Sequence, residues 1–196
     1  MTTFGCRYAL SASFAIGLLA GCGGASSAPV GAVPQTAPQY RAHQASSGAP
    51  LIYAFGSFRS AAGLILDYPS GQVLNGLTLP FGAMGICSDG RGNVFVGGRN
   101  VSTNAPIIGE YPYAGTSLSG MVTIGTAPGE VRGCSVDNTT GNVAALIQYD
   151  QFTFAVAVLP QFTGTPQLYQ DSAIYRFLSV GYDASGNLFL LGAGQG

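Results

Sequence analysis

The sequence predicts an all-β chain assembled from repeats of short antiparallel strands, and three observations carry that prediction. Of 196 residues, 30 are Gly and 11 are Pro, 47% are hydrophobic and only 8% are charged. Turn formers are therefore abundant, apolar surface suffices for a core, and the Glu and Lys that favour helices are nearly absent. Short apolar and β-branched runs follow one another from Leu51 onward, punctuated by Gly, Pro, Asp and Asn. A Gly-Asn pair between such runs recurs at Gly92-Asn93, Gly141-Asn142 and Gly186-Asn187, with spacings of 49 and then 45 residues.

Before the strands begin, the chain reads as two segments without a fold. Arg7 supplies a minimal positive start, and Tyr8 to Leu19 is an apolar stretch too short to cross a bilayer as a helix. It ends in Leu19-Ala20-Gly21-Cys22, which resembles the lipobox of bacterial lipoproteins. The resemblance implies diacylglyceryl transfer to the Cys22 thiol, cleavage before Cys22 and N-acylation, so that residues 1–21 are a signal peptide and the lipid bilayer is a partner. Acyl chains contribute about 0.8 kcal/mol per buried CH₂, enough for a firm anchor. Gly23 after the Cys leans, by analogy with lipoprotein sorting, towards the outer membrane. The competing reading is an ordinary secretory leader with Cys22 incidental. Residues 22–50 are rich in Gly, Ala, Ser, Pro and Gln and read as a disordered tether. It holds His43, the sole histidine, which reads as a solvated spacer residue.

Residues 51–196 carry the strands. Leu51 to Phe55, Gly63 to Leu66 and Val73 to Leu79 lead into Pro80 to Val96, which reads as strand, tight turn and strand around Asp89-Gly90-Arg91-Gly92-Asn93. The series restarts: Pro106 to Pro112 mirrors Gly63 to Pro69, Met121 to Ile124 mirrors Val73 to Leu79, and Gly133 to Val143 repeats the turn. A third round runs through Ala155 to Pro160, Gln167 to Tyr169 and Ser179 to Leu190. A period of four short strands over about 45 residues is the size of one β-propeller blade. The count is about three repeats plus the first strand of a fourth, fewer than a closed ring needs. The expectation is an incomplete propeller, either an N-terminal fragment of a longer one or a chain that closes by pairing with another copy.

Gly85 to Val96, with its apolar strand, Asp-x-x-Gly-Asn and aromatic strand, is similar to the NHL-type propeller repeat. The Tyr-Pro elements at Tyr68 and Tyr111 and the Cys22-Gly-Gly tether resemble a set of bacterial lipoproteins built on such propellers. The resemblance implies the fold and leaves function open, because propellers serve binding, scaffolding and catalysis alike. Gluconolactonase-like propellers place Glu, Asn and Asp around a central metal, which gives the alternative reading of a metal-dependent hydrolase or lactonase, with calcium as its cofactor.

The residues themselves point to structure before chemistry. Asp89, Asp137 and Asp183, with Gly92, Asn93, Gly141, Asn142, Gly186 and Asn187, read as repeated hairpin turns in which Asp accepts backbone N–H bonds and Gly-Asn takes left-handed conformations. Glu130 and Asp150 fall outside the repeat and are the acids with most claim to a specific role. Aligned on their turns, Cys87 matches Ser135 and Cys134 matches Ile86, so the two side chains are expected on opposite faces of equivalent strands, as buried free thiols in preference to a bridge, which an oxidising compartment would permit. A single linker histidine permits no Ser-His-Asp or Cys-His site, no Gly-rich loop precedes a helix, and a net charge of −1 supplies no field for nucleic acid. The reading is a non-catalytic, lipid-anchored scaffold at the cell envelope that binds a protein or small molecule and needs no cofactor.

Overall fold

The computed structural model describes residues 48–56 and 61–194. The expected signal peptide, Leu19, Ala20, Gly21, Cys22 and most of the tether with His43 lie outside the described residues. Among those residues there are thirteen strands and one 3-10 turn. No helix among them is long and apolar enough to cross a membrane.

The strands form four antiparallel sheets, each a meander in chain order. Sheet 1 holds β1 (Leu51–Phe55), β2 (Ala62–Asp67) and β3 (Val73–Thr78). Sheet 2 holds β4 (Phe81–Ser88), β5 (Val94–Asn100), β6 (Pro106–Tyr111) and β7 (Gly120–Thr123). Sheet 3 holds β8 (Glu130–Val136), β9 (Val143–Gln148), β10 (Phe154–Leu159) and β11 (Gln167–Tyr169), with the 3-10 turn Pro160–Phe162 between the last two. Sheet 4 holds β12 (Ile174–Tyr182) and β13 (Leu188–Gly194). These are blades of the β-propeller type, all-β and meandering.

The strand total agrees with three repeats and one strand, but its partition differs. The Asp-to-Asn turn joins the first two strands inside each sheet, at Asp89 between β4 and β5, at Asp137 between β8 and β9, and at Asp183 between β12 and β13. Leu188–Gly194 is therefore the second strand of sheet 4, paired with β12 through Tyr182↔Leu188 and Val180↔Leu190, and does not open a new blade. Sheet 1 correspondingly has the counterparts of second, third and fourth strands. A repeat read from sequence fixes the period and leaves the phase open, because a ladder is interrupted only where the chain crosses from an outer strand to the next inner one.

Stacking follows from side-chain alternation. Along β5, Phe95 packs towards sheet 3 and its neighbours Val94 and Val96 towards sheet 1; along β6, Ile107 faces sheet 1 and Ile108 faces sheet 3. Covered on both faces, β5 from Val94 to Gly98 and β9 from Val143 to Ile147 carry no polar side chain and are buried at every position. Three cores result: Ile65, Leu77 and Phe81 with Ile107 between sheets 1 and 2, Phe95, Ile108, Val131 and Ile147 between sheets 2 and 3, and Ala144, Leu146, Phe154 and Phe177 between sheets 3 and 4. Tyr111 spans the first of these, its hydroxyl donating to the Thr78 carbonyl at 2.8 Å.

The first strands of sheets 2 and 3 approach most closely, at matching register shifts between Ala83 and Gly85 and between Val131 and Gly133. A Cβ on Gly85 would lie 2.7 Å from the Gly133 nitrogen, so glycine is required there. Beside this approach Cys87 and Cys134 form a disulfide, with Cα atoms 5.5 Å apart. The expectation of free thiols is thus overturned. The two side chains do project to opposite faces of equivalent strands, and in consecutive stacked sheets that relation brings them together: the far face of one sheet meets the near face of the next.

Candidate functional site

The turns that close the first hairpins of sheets 2 and 3 wall a cleft of about 530 Å³, which the β10–β11 connection completes. In the first turn Asp89 Oδ1 accepts the Arg91 and Asn93 amides at 2.9 and 2.8 Å, and Oδ2 accepts Asn93 Nδ2 at 2.9 Å. Gly92 sits at φ +89°, where a side chain would be strained. The Asp183 turn has the same bonds, from the Ser185 and Asn187 amides and from Asn187 Nδ2, with Gly186 at φ +82°. The Asn187 bonds hold the Asp183 carboxyl below the usual range.

The Asp137 turn is one residue longer, and that residue changes its wiring. Thr139 donates its amide and hydroxyl to Asp137 Oδ1 at 2.9 and 2.6 Å, and the Thr140 hydroxyl donates to Oδ2 at 2.5 Å. Burial pushes this carboxyl up, but the bonds from Thr139 and Thr140 outweigh it and hold the group below the ordinary carboxylate value. Asp137 is 3% exposed, the only buried charged side chain among the described residues. With the threonines closing the turn, Asn142 is released: its Oδ1 accepts the Gln161 amide at 3.2 Å. Asn138 points the other way and accepts the Gly90 amide at 2.7 Å, which ties the turns of sheets 2 and 3 together.

Asn142 thereby holds the wall contributed by the β10–β11 connection. Gln161 (φ 48°) and Phe162 (φ 60°) are consecutive non-glycine residues in the left-handed region, a conformation costing roughly 1–2 kcal/mol per residue. Opposing that cost, the Thr163 and Gly164 amides donate to the Pro160 carbonyl. The Phe162 ring also meets Phe95 edge to face, with centroids 5.1 Å apart, under the cleft. Backbone strain of this kind concentrates at functional loops.

The remaining sequence candidates lie elsewhere. Glu130, on β8, pairs with Arg132. Asp150 accepts the Phe152 and Thr153 amides and the Thr153 hydroxyl in the β9–β10 turn, and these bonds lower its pKa. Glu110 lines the cleft and takes the Ser119 hydroxyl at 2.9 Å. No group of three or more His, Cys, Asp or Glu side chains with metal-binding geometry occurs among the described residues. Sequence reasoning missed the Gln161-Phe162 wall; its available signal was the Asp-to-Asn distance, four residues at Asp89 and Asp183 but five at Asp137.

The fold class is that of stacked propeller-type blades, as sheet order and packing define it. No family model matches the chain, and no curated protein matches it. Among solved structures the chain is similar to the β-propeller domain of Cps50 (Swd1) from Myceliophteria thermophila, at 15% identity and a TM-score of 0.49. The match covers 74% of this chain and 48% of that one, so the chain spans about half the length of the structure it resembles.

Proposed function

We propose that the protein is an envelope lipoprotein, anchored through acylated Cys22, whose blades form a non-catalytic scaffold with the cleft between sheets 2 and 3 as its binding site. The observation that carries the binding reading is how the cleft's acids are used. Asp89 and Asp137 spend their oxygens on the amides and hydroxyls of their own turns, and Glu110 accepts the Ser119 hydroxyl. What faces solvent is a neutral polar rim of Asn138, Thr139, Gln161 and Thr163, with Arg91, over the buried Phe95–Phe162 pair. Such a surface suits recognition by hydrogen bonds more than proton transfer or metal ligation. The Cys87–Cys134 bridge supports export, since structural disulfides persist in oxidising compartments.

Two measurements test this reading. Radiolabelled palmitate enters the wild-type chain and not Cys22→Ser, which leaves the membrane fraction; equal labelling of the two refutes the anchor. Elemental analysis of the purified protein finds no stoichiometric calcium, and the protein does not hydrolyse simple lactones; calcium at one equivalent together with turnover returns the metal-dependent hydrolase.

A further inference from the structure

The rim of the cleft between sheets 2 and 3 carries hydrogen-bonding groups that the fold does not consume. Asn138 gives Oδ1 to the Gly90 amide, and both hydrogens of its Nδ2 remain available. Thr139 donates its hydroxyl hydrogen to Asp137 Oδ1 at 2.6 Å and keeps its oxygen as an acceptor. Glu110 gives Oε2 to the Ser119 hydroxyl and keeps Oε1. The Gln161 side-chain amide and the Thr163 hydroxyl, both exposed, have no partner among the described residues. Donors and acceptors thus converge on one cavity from three separate stretches of chain. Two of those stretches are braced, by the Asn138 bond to Gly90 and by the Asn142 bond to the Gln161 backbone, so little ordering remains for a ligand to drive.

The same rim argues against three classes of ligand. Among the described residues that line the cleft, Asp89, Asp137 and Glu110 outnumber the one cation, Arg91, so an anion meets net repulsion. A cation finds few carboxylate oxygens to pair with, because both oxygens of Asp89 and of Asp137 accept bonds within their own turns. A flat apolar molecule finds no ring face to stack on, since Phe95 and Phe162 are buried beneath the rim. What the cleft matches is a neutral molecule dense in groups that both donate and accept.

We propose that the ligand is a neutral saccharide, an inference that rests on the cleft being the binding site proposed above. Each sugar hydroxyl donates one hydrogen bond and accepts others, so it can lie between a donor such as Asn138 Nδ2 or Gln161 Nε2 and an acceptor such as Thr139 Oγ1 or Glu110 Oε1. The C–H edge of a sugar ring suits the narrow apolar floor at Phe95 and Phe162. A cleft of about 530 Å³ falls within the small-molecule range of about 300–1,000 Å³, which fits a short saccharide, free or at the end of a larger glycan.

A printed array of neutral and uronate- or sialate-bearing oligosaccharides, probed with the full chain in detergent micelles and read with an antibody to the chain, tests the inference. The wild type is retained on a subset of the neutral saccharides. Asn138→Asp and Gln161→Glu each replace an amide donor by a carboxylate oxygen of nearly the same shape, and the first keeps the acceptor for the Gly90 amide. Each variant weakens retention about tenfold while its melting temperature stays that of the wild type. Inhibition by the same saccharide in solution identifies a short soluble sugar, and retention without such inhibition identifies the end of a linked glycan; either result supports the inference. Preference for acidic saccharides, lost in Arg91→Gln, overturns the neutral class and keeps the cleft as the site. Neutral saccharides held equally by the wild type and both variants bind elsewhere, which overturns the inference and the cleft together. No retention on the array, and no protection of the wild type against thermal unfolding by the free neutral saccharides at about 1 mM, overturns the saccharide inference alone.

Discussion

Replacing Cys87 and Cys134 together by alanine removes the covalent link between sheets 2 and 3, and its cost follows from the loop it closes. The cysteines are 47 residues apart in sequence, and chain-entropy arguments assign a loop of that size about 4 kcal/mol at 25 °C. Against a typical domain stability of about 5–15 kcal/mol this is a large fraction, and it falls on the interface that carries the cleft. Urea unfolding with and without dithiothreitol measures it. The double variant unfolds at a lower midpoint, the reductant moves the wild type towards that midpoint, and the variant itself does not respond to reductant. A double variant within about 1 kcal/mol of the oxidised wild type, or one equally sensitive to reductant, refutes the assignment of a stabilising bridge.

Three further substitutions probe the same region. Gly85→Ala forces a methyl to 2.7 Å from the Gly133 nitrogen, and the cost of about 1–3 kcal/mol is accompanied by a larger free-thiol fraction on labelling under denaturing conditions. Asp137→Asn costs about 1–3 kcal/mol through its charge-assisted bonds. Because the carboxyl is depressed in the folded state, its stabilisation is full above the unfolded value of about 4 and is lost as pH falls through the lower folded value, so the variant's stability is flatter in acid than the wild type's. Gln161→Gly suits the left-handed backbone at φ 48° and stays within about 1 kcal/mol of wild type, whereas the β-branched Gln161→Val loses about 1–2 kcal/mol, read by thermal melting.

The local motifs were legible because each rests on a few adjacent residues. The sequence from Asp89 to Val96 announces a turn and the strand after it, and Ala155 to Leu159 reads directly as strand β10. Relations between sheets were harder to read. Alternation along β4 and β8 placed Cys87 and Cys134 on opposite faces correctly, but only the stacking of consecutive sheets turns opposite faces into a contact. The partition into sheets hid for a similar reason: Val73 to Leu79 and Pro80 to Val96 follow one another without a composition change, although the ladder breaks between Thr78 and Phe81. The Gln161-Phe162 wall had no local signature, since neither residue favours a left-handed backbone and both are held there by Asn142 and Phe95, distant in sequence.

The extra residue in the Asp137 turn suggests how a repeat protein acquires individuality without disturbing its frame. The flanking pairs remain aligned, Val136↔Val143 in sheet 3 as Ser88↔Val94 in sheet 2 and Tyr182↔Leu188 in sheet 4, so the insertion is absorbed entirely in the loop. In the shorter turns the asparagine is inward-looking, spent on its own aspartate. One added position passes that duty to two threonines and turns the asparagine into a lateral clasp on the neighbouring connection. Single-residue length changes in these turns are thus a graded means of reshaping one rim of the stack while every strand keeps its register.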